Sequence, residues 1–511
     1  MAQAAPPAAR QPVASVVVPV YNKEAFLAEC LACLETQTLA KDDFEAILVD
    51  DGSTDGSLAK CEELAASRPW VRVLSQPNGG VCEARNAGIR AARGRFIFFL
   101  DPDDTVSPET LANASAFFET CPDEVDMVTY PIVSIRDGKR QRLHCRYAVL
   151  DETGVYDLND PACAIVAQTT MNVAVRNRFG NNVLFDWRPE AGAVIHEDEK
   201  YCTDVLQRTM KLGFCAEAEY RWMRHDEGVT TSSAQPERLY DNNLALYEEL
   251  FGRYEDEVPP YVQGLLVNDI AWKMNARIAL PTHVEGAAYD EALARMGRLL
   301  DRVDDRIIMT HPTLKRDYRL FVLGLKKAVP LVWHAAPSAL AVTRGDELVF
   351  AAGEADAVLR RIVVRDGQLF VEGRVESPFF AGWEGGVELF LCRRFRRCDR
   401  AVREDGLELT ESAAGFYDDA VKINDFYDFS FACELMENED VWLDLRIGGN
   451  SIPLRWSLKE LVRPTFLLRN TMIAGMWCVC VSLERSKLIV GRLTDMAREA
   501  VSRLLGARTS R

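Results

Sequence analysis

The chain has 511 residues, of which 48% are hydrophobic, 27% charged and 9% aromatic. At roughly 150 residues per domain this means three or four domains with ample apolar material for their cores, which excludes a disordered or fibrous protein. The formal net charge of −17, from 60 Lys and Arg against 77 Asp and Glu, excludes a nonspecific nucleic-acid binder, because phosphate backbones demand clustered cations.

The first twelve residues, MAQAAPPAARQP, lack the apolar core of a signal peptide and read as a loose tail. Ser15 to Val20 is a short run, apolar from Val16 on, of the kind found in a strand buried on both faces. A helix follows, with Asn22 as its expected N-cap and Leu27, Cys30, Leu31 and Leu34 on one face. Phe44 to Val49 predicts a second strand, Leu58 to Ala66 a helix, Trp70 to Leu74 a third strand and Val81 to Ala92 a helix. Phe96 to Leu100 is a fourth apolar strand. Such alternation implies parallel strands joined by right-handed helical crossovers, an α/β doubly wound sheet. Cys30 and Cys33 have the spacing of a redox or zinc pair, but no second pair follows. The fourteen cysteines are therefore expected as free, largely buried thiols in a reducing, cytoplasmic setting.

From Thr105 to about Ser233 the pattern is mixed, with a helix at Pro108 to Phe118, strand-like pieces at Met127 to Val133 and Val173 to Val175, and a helix from Glu199 to Lys211. Helical spacing then recurs at Leu239–Leu250, Tyr261–Ile278, Tyr289–Val303 and Tyr318–Lys327. From Leu340 to Trp456 short β-rich runs alternate with turns, and Asp366-Gly367 between apolar runs predicts a hairpin in a β-sandwich-like domain. Lys487 to Arg511 reads as a basic amphipathic helix. Ser482 to Arg511 carries seven Lys and Arg against three Asp and Glu, so contact with anionic lipid at the inner face of the membrane is expected of it. The apolar stretch from Met472 to Val481 is far short of the ~20 residues a bilayer span needs.

Polar clusters fall where the predicted strands end. Tyr21-Asn22 closes the first, Asp50-Asp51-Gly52-Ser53 the second and Asp101-Pro102-Asp103-Asp104 the fourth. In open α/β sheets ligands bind beyond the carboxyl ends of the strands, so these clusters converge on one edge. Adjacent carboxylates on a strand-ending loop are hard oxygen ligands suited to Mg²⁺ or Mn²⁺, although Asp-Pro-Asp-Asp is also good turn chemistry. Asp50 and Asp51 exceed what helix capping needs and could accept from a nucleobase or ribose. No glycine-rich phosphate loop of the G-x-G-x-x-G or P-loop kind is present.

Val18-Pro19-Val20-Tyr21-Asn22, Val49-Asp50-Asp51-Gly52-Ser53-Thr54-Asp55, Asn78-Gly79-Gly80 with Ala84-Arg85-Asn86-Ala87-Gly88, and Phe99-Leu100-Asp101-Pro102-Asp103-Asp104 stand in order. Together they resemble family 2 glycosyltransferases over residues 13–235. The resemblance implies a GT-A, Rossmann-like fold, a nucleotide-sugar donor such as a UDP-sugar, and inversion at the anomeric carbon. It implies that Asp51 contacts the uracil, that Asp101 lies towards the ribose, and that Asp103 with Asp101 holds a Mn²⁺ or Mg²⁺ ion. Pro19, Tyr21, Asn22, Glu24, Asp50, Asn78, Gly79, Arg85 and Pro102 are implied to line the donor site. His196-Glu197-Asp198-Glu199 resembles the family's acidic motif, with Asp198 matching the general base and Glu197 its neighbour. In Tyr220 to His225, Arg224 or His225 is expected at the diphosphate. Ala218 stands where processive synthases of the superfamily carry Gln before Arg-Trp, which favours a non-processive transfer.

The expected organisation is a tail (1–12), the glycosyltransferase domain (13–235), a helical region (236–335), a β-rich domain (340–465) and a C-terminal segment (466–511). The appendages resemble those of enzymes that decorate bacterial surface polymers, including teichoic-acid-type polyols, so a glycan or polyol-phosphate acceptor is expected, with homo-oligomerisation open. Two other readings are a catalytically silent glycan-binding scaffold and a nucleotidyltransferase. Against the second, no Gly-rich loop with a Lys follows the first strand.

Overall fold

The computed structural model describes residues 11–492 except 137–138, 141–144, 188–195, 224–235, 277–279, 281–283, 396–401, 412–415, 419–420, 425, 437–438, 462–465, 469–470 and 475–476. The chain divides into two compact units. One comprises Met1–Trp272, His283–Arg295 and Arg302–Thr313, the other Lys273–Thr282, Met296–Asp301 and Leu314–Arg511.

In the first unit β1 (Ala14–Val20), α1 (Leu27–Glu35), β2 (Phe44–Asp50), α2 (Ser57–Ala66), β3 (Val71–Ser75), α3 (Val81–Ala91) and β4 (Phe96–Phe99) alternate as the sequence predicts. β1 runs parallel to both β2 and β4, and β2 to β3. Every position of β1, β2 and β4 is buried, which is why these strands are mostly apolar rather than alternating, with Ser15, Glu45 and Asp50 as their buried polar residues. Gly88 allows α3 to lie directly on β1, since a Cβ there would come within 2.3 Å of Val17.

The chain continues through β5 (Thr105–Val106), α4 (Thr110–Thr120), β6 (Met127–Thr129), β7 (Ile132–Arg136), β8 (Lys139–Arg140), β9 (Gly154–Asp157), β10 (Val173–Arg176), α5 (Glu197–Leu206), β11 (Lys211–Phe214) and β12 (Tyr220–Met223). The main sheet has the order β3-β2-β1-β4-β10-β6-β11-β9, and a second sheet the order β5-β12-β7-β8. β10 is antiparallel to both of its neighbours.

Two sequence expectations change here. Met127 to Val133 is not one strand: Pro131, which lacks an N–H, separates β6 from β7, and the two join different sheets. The helix expected over Glu199 to Lys211 is α5, ending at Leu206. Met210 then takes a left-handed conformation (φ 53°) and Lys211 begins a strand.

Helices α6 (Pro236–Gly252), α7 (Pro260–Ala276), α8 (Ala287–Leu300), α9 (Asp305–Thr310) and α10 (Arg316–Gly324) follow. Sequence spacing predicts all but α9, a six-residue helix capped by Asp304. No helix among the described residues is long and apolar enough to cross a membrane. Among those residues the cysteines are free, and nearly all are buried.

The second unit is built mainly of antiparallel sheets. Ala355–Arg365 pairs with Gln368–Glu376 through Asp366 and Gly367, both at positive φ (51° and 75°), the hairpin geometry that their identities predict. Trp456 is buried there, as a core residue. The first six residues of the expected C-terminal helix are a correction: Lys487–Arg492 is a strand, with Leu488 and Val490 fully buried and Lys487 paired with Asp440 at 2.6 Å. Its period is two, and burial of alternate residues against Glu439–Ile447 overrides the helical spacing. Residues 493–511 lie outside the described residues.

Candidate active site

The loops after β1 and β2 are stitched together. Asn22 takes a left-handed conformation (φ 51°), and its carboxamide oxygen accepts from the Thr54 amide at 2.8 Å. Its own amide donates to Ser53 Oγ at 3.1 Å. Asn22 is therefore not the cap of α1, which begins only at Leu27. The local demand of a tight turn beside a second loop decides its role. Tyr21, beside it, is 47% exposed.

Asp50 and Asp51, at the end of β2, are both buried. Asp51 Oδ1 accepts from Gln76 Nε2 (2.7 Å) and the Gly79 amide (2.9 Å), and Oδ2 from the Gly80 amide (2.8 Å). A carboxylate offers about four acceptor positions, so this network leaves room for one more donor. The loop comes so close that a Cβ on Gly52 (φ 69°) would lie 2.7 Å from the Asn78 amide nitrogen. Asp51 thus pins the 78–80 loop, which the spacing of the motifs does not reveal.

The acidic loop after β4 is compensated residue by residue. Asp104 accepts from the Tyr220 hydroxyl at 2.7 Å and the Met223 amide at 2.8 Å, tying the loop to β12. Burial pushes its carboxyl up to about 8, with Asp101 adding to the effect and those two donors opposing it. The same Tyr220 oxygen accepts from the Asp101 amide at 3.3 Å. Asp103 meets the Lys23 ammonium at 2.5 Å.

Arg85, on α3, stands at the centre. Its side chain is 3% exposed, and its guanidinium donates to Asp198 at 2.6 Å, Glu197 at 3.2 Å and Asp101 at 3.1 Å. The Phe185 ring lies 5.3 Å from the guanidinium carbon and stacks on Tyr201 of α5 at 3.9 Å. Two motifs separated by almost a hundred residues, Asp101 and Glu197-Asp198, therefore share one cation. Glu197 and Asp198 open α5, where the helix dipole also favours negative charge. Burial drives the Asp198 carboxyl well above the usual carboxylate range. Arg85 opposes this, while Glu197 and Asp101 add to it.

The start of α5 is fixed from behind. His196 is left-handed (φ 67°), and its Nδ1 lies 3.1 Å from Glu199. The buried Glu199 also accepts from the Tyr247 hydroxyl of α6 at 2.7 Å.

Of the residues singled out in the sequence, the structure brings Arg85, Asp101, Glu197 and Asp198 into direct contact, with Asp103 on the same loop. Asp50, Asp51, Asn78 and Gly79 form the neighbouring strand-end wall, and Pro19, Tyr21, Asn22 and Glu24 lie on or just after β1. Pro102 is buried between the two loop acids. Arg224 and His225 lie outside the described residues. Lys23, Gln76 and Tyr247 escape sequence reasoning, because each acts through a partner distant in the chain, and the tie of Glu199, a member of the acidic motif, to Tyr247 escapes it for the same reason. Tyr220, inside a stretch noted only for its basic residues, escapes it too.

Residues 15–171 match the model of glycosyl transferase family 2. The chain is 28% identical to the minor teichoic acid biosynthesis protein GgaB of Bacillus subtilis, over 61% of this chain and 35% of that protein. It is 41% identical to the poly(ribitol-phosphate) beta-glucosyltransferase of Bacillus spizizenii, over 59% of this chain and 47% of that one. The matched stretches thus span less than half the length of these relatives. The crystal structure of Staphylococcus aureus TarS superposes with a TM-score of 0.50 at 16% identity, covering 94% of this chain and 86% of that one, a likeness of fold.

Proposed function

We propose, from the premise that this chain carries a family 2 glycosyltransferase domain, that it transfers a sugar from a nucleotide-sugar, a UDP-sugar in the first instance, to a hydroxyl of a teichoic-acid-type polymer. The observation that carries this reading is the convergence of Asp101, Glu197 and Asp198 on the buried Arg85, because it sets a donor-side carboxylate beside a candidate base. The similarity to a teichoic acid biosynthesis protein and to a poly(ribitol-phosphate) glucosyltransferase supports the polymer class of the acceptor.

In this reading Asp198 takes the proton from the acceptor hydroxyl as its oxygen attacks the anomeric carbon from the face opposite the leaving group. The bond from that carbon to the diphosphate breaks, the nucleoside diphosphate departs and the configuration inverts. A base whose proton affinity is raised above that of a free carboxylate is suited to that step, and general-base help is worth about 10²- to 10⁴-fold. Arg85 keeps Asp198 and Glu197 oriented, and Asp51, with one acceptor position left, is suited to the uracil N–H. Glu199 and Tyr247 set the start of the helix that carries the base.

The acidic loop fits a divalent cation by its donor chemistry. Asp103 and Asp101 are hard oxygen ligands on a strand-ending loop, and ions of the Mg²⁺ class are commonly held by one or two carboxylates together with substrate phosphates. Among the described residues no group of three or more His, Cys, Asp or Glu side chains is arranged to cage an ion. Bound there, the ion would offset the charge of the leaving diphosphate.

The test is a panel of nucleotide-sugars with poly(ribitol-phosphate) and related acceptors, with and without Mn²⁺, read by free nucleotide release and by the anomeric configuration of the product. Transfer with inversion is the expected result. Retention of configuration, or no turnover and no thermal protection by any donor, would sink the proposal.

A further inference from the structure

Each carboxylate of the 101–104 loop has a partner inside the protein, but the partners differ in kind. Asp101 faces Arg85, whose side chain is 3% exposed, and Asp104 is held by a hydroxyl and a main-chain amide. Asp103 and Lys23 keep 25% and 26% exposure. The main chain at Lys23 is anchored, its amide donating to Ser57 Oγ at 2.8 Å, while its side chain borders a cleft of about 560 Å³ whose walls include Asn22, Glu24 and Asp55. The ammonium therefore has somewhere to go, which the Arg85 guanidinium does not.

We propose that Lys23 is the resident counter-cation of Asp103: it holds the carboxylate when no divalent ion is present, and yields it only when a diphosphate is there to receive the ammonium. The inference rests on the reading of this site as a metal-dependent nucleotide-sugar site. An ion arriving alone must displace the ammonium and then sit beside it, and like charges at contact distance repel. An ion arriving with a diphosphate brings the negative charge to which the ammonium transfers its hydrogen bonds. Ion and nucleotide then bind cooperatively, and by linkage each tightens the other by the same factor.

The test uses the full chain and Mn²⁺, whose free aqueous form is counted by its paramagnetic resonance signal, with and without UDP. The wild type should bind Mn²⁺ weakly alone and much more tightly with UDP. Lys23→Gln should bind Mn²⁺ alone about fivefold more tightly, the factor expected from removing a partly exposed ion pair, and the UDP enhancement should shrink accordingly. Lys23→Arg, which keeps the cation, should behave as the wild type, and Asp103→Asn should lose Mn²⁺ under both conditions. Equal Mn²⁺ affinity in wild type and Lys23→Gln, with the UDP effect intact, overturns the role of Lys23 and leaves the metal site standing. If no variant takes up Mn²⁺ even with UDP, the metal-dependent reading falls and Lys23 falls with it.

Discussion

Arg85 and Asp198 are a pair in which each side chain sets the state of the other. Burial works against the guanidinium's charge, and Asp198, Asp101 and Glu197 together hold it firmly protonated. Replacing Arg85 by Met should leave three carboxylates without their cation and cost about 3–5 kcal/mol in chemical denaturation, as breaking a buried ion network does. Arg85→Lys should recover only part of this, because one ammonium cannot span three acids as a guanidinium fork does. Asp198→Asn should reduce turnover by about 10²- to 10⁴-fold, while UDP still shifts the melting temperature; full turnover in that variant would remove Asp198 from the chemistry. The pH dependence has a definite sign. The folded-state proton affinity of Asp198 lies above the ordinary carboxylate value, and a base must be ionised to work, so turnover should climb with pH through a range higher than that of a free carboxylate. An acid limb at the ordinary carboxylate position would contradict this. At this scale the sequence singles out Asp101, Asp103, Glu197 and Asp198, which sit in motifs of fixed order, and the structure pairs each of them with a buried or partly buried cation. It cannot show that one arginine joins three of them, or that Lys23 answers Asp103, because these pairings reach across 16 residues at the shortest and more than 110 at the longest and leave no local pattern.

At the scale of elements, the alternation of short, largely apolar strands with amphipathic helices makes β1 to β4 legible, because runs of this length between turn residues and helices fit strands buried on both faces. Where two periodicities compete, the reading fails. Lys487–Arg492 satisfies both a helical and an alternating pattern, and the neighbouring strands, absent from any local window, decide the outcome. Helix packing gives two predictions. A Cβ on Gly264 of α7 would lie 1.6 Å from the Ala164 carbonyl oxygen, which belongs to a backbone that cannot swing aside. Gly264→Ala should therefore destabilise the first unit by about 3 kcal/mol or more, in urea or heat. Tyr247→Phe removes one hydrogen bond to the buried Glu199 and should cost about 1–3 kcal/mol. Because α5 carries Asp198, it should also lower kcat more than it raises KM. A fall in stability with unchanged kinetics would confine Tyr247 to a structural role.

The whole molecule consists of two compact units, and the chain passes between them more than once before residue 314, so the division follows no single cut. Each unit has its own buried apolar core, and unfolding is expected in two steps rather than one. All the described residues of the candidate site belong to the first unit. UDP with Mn²⁺ should raise only the transition of that unit, by about 2.7 kcal/mol at a hundredfold excess over the dissociation constant. Equal shifts in both transitions would mean that the ligand is not confined to the first unit.

The tie between Tyr247 and Glu199 bears on how such proteins could be recombined. The motifs end near residue 225, and a chimera designed from them would be cut there. That cut would remove the hydroxyl bonded to Glu199 in the first turn of α5, the helix that carries Asp198, and with it the Leu265 carbonyl to which the same hydroxyl lies within 3.2 Å. On the proposed role of Asp198, a transplantable module must therefore extend through α6 and into α7, and specificity swaps made at the edge of the motifs should yield folded sheets with a misplaced α5.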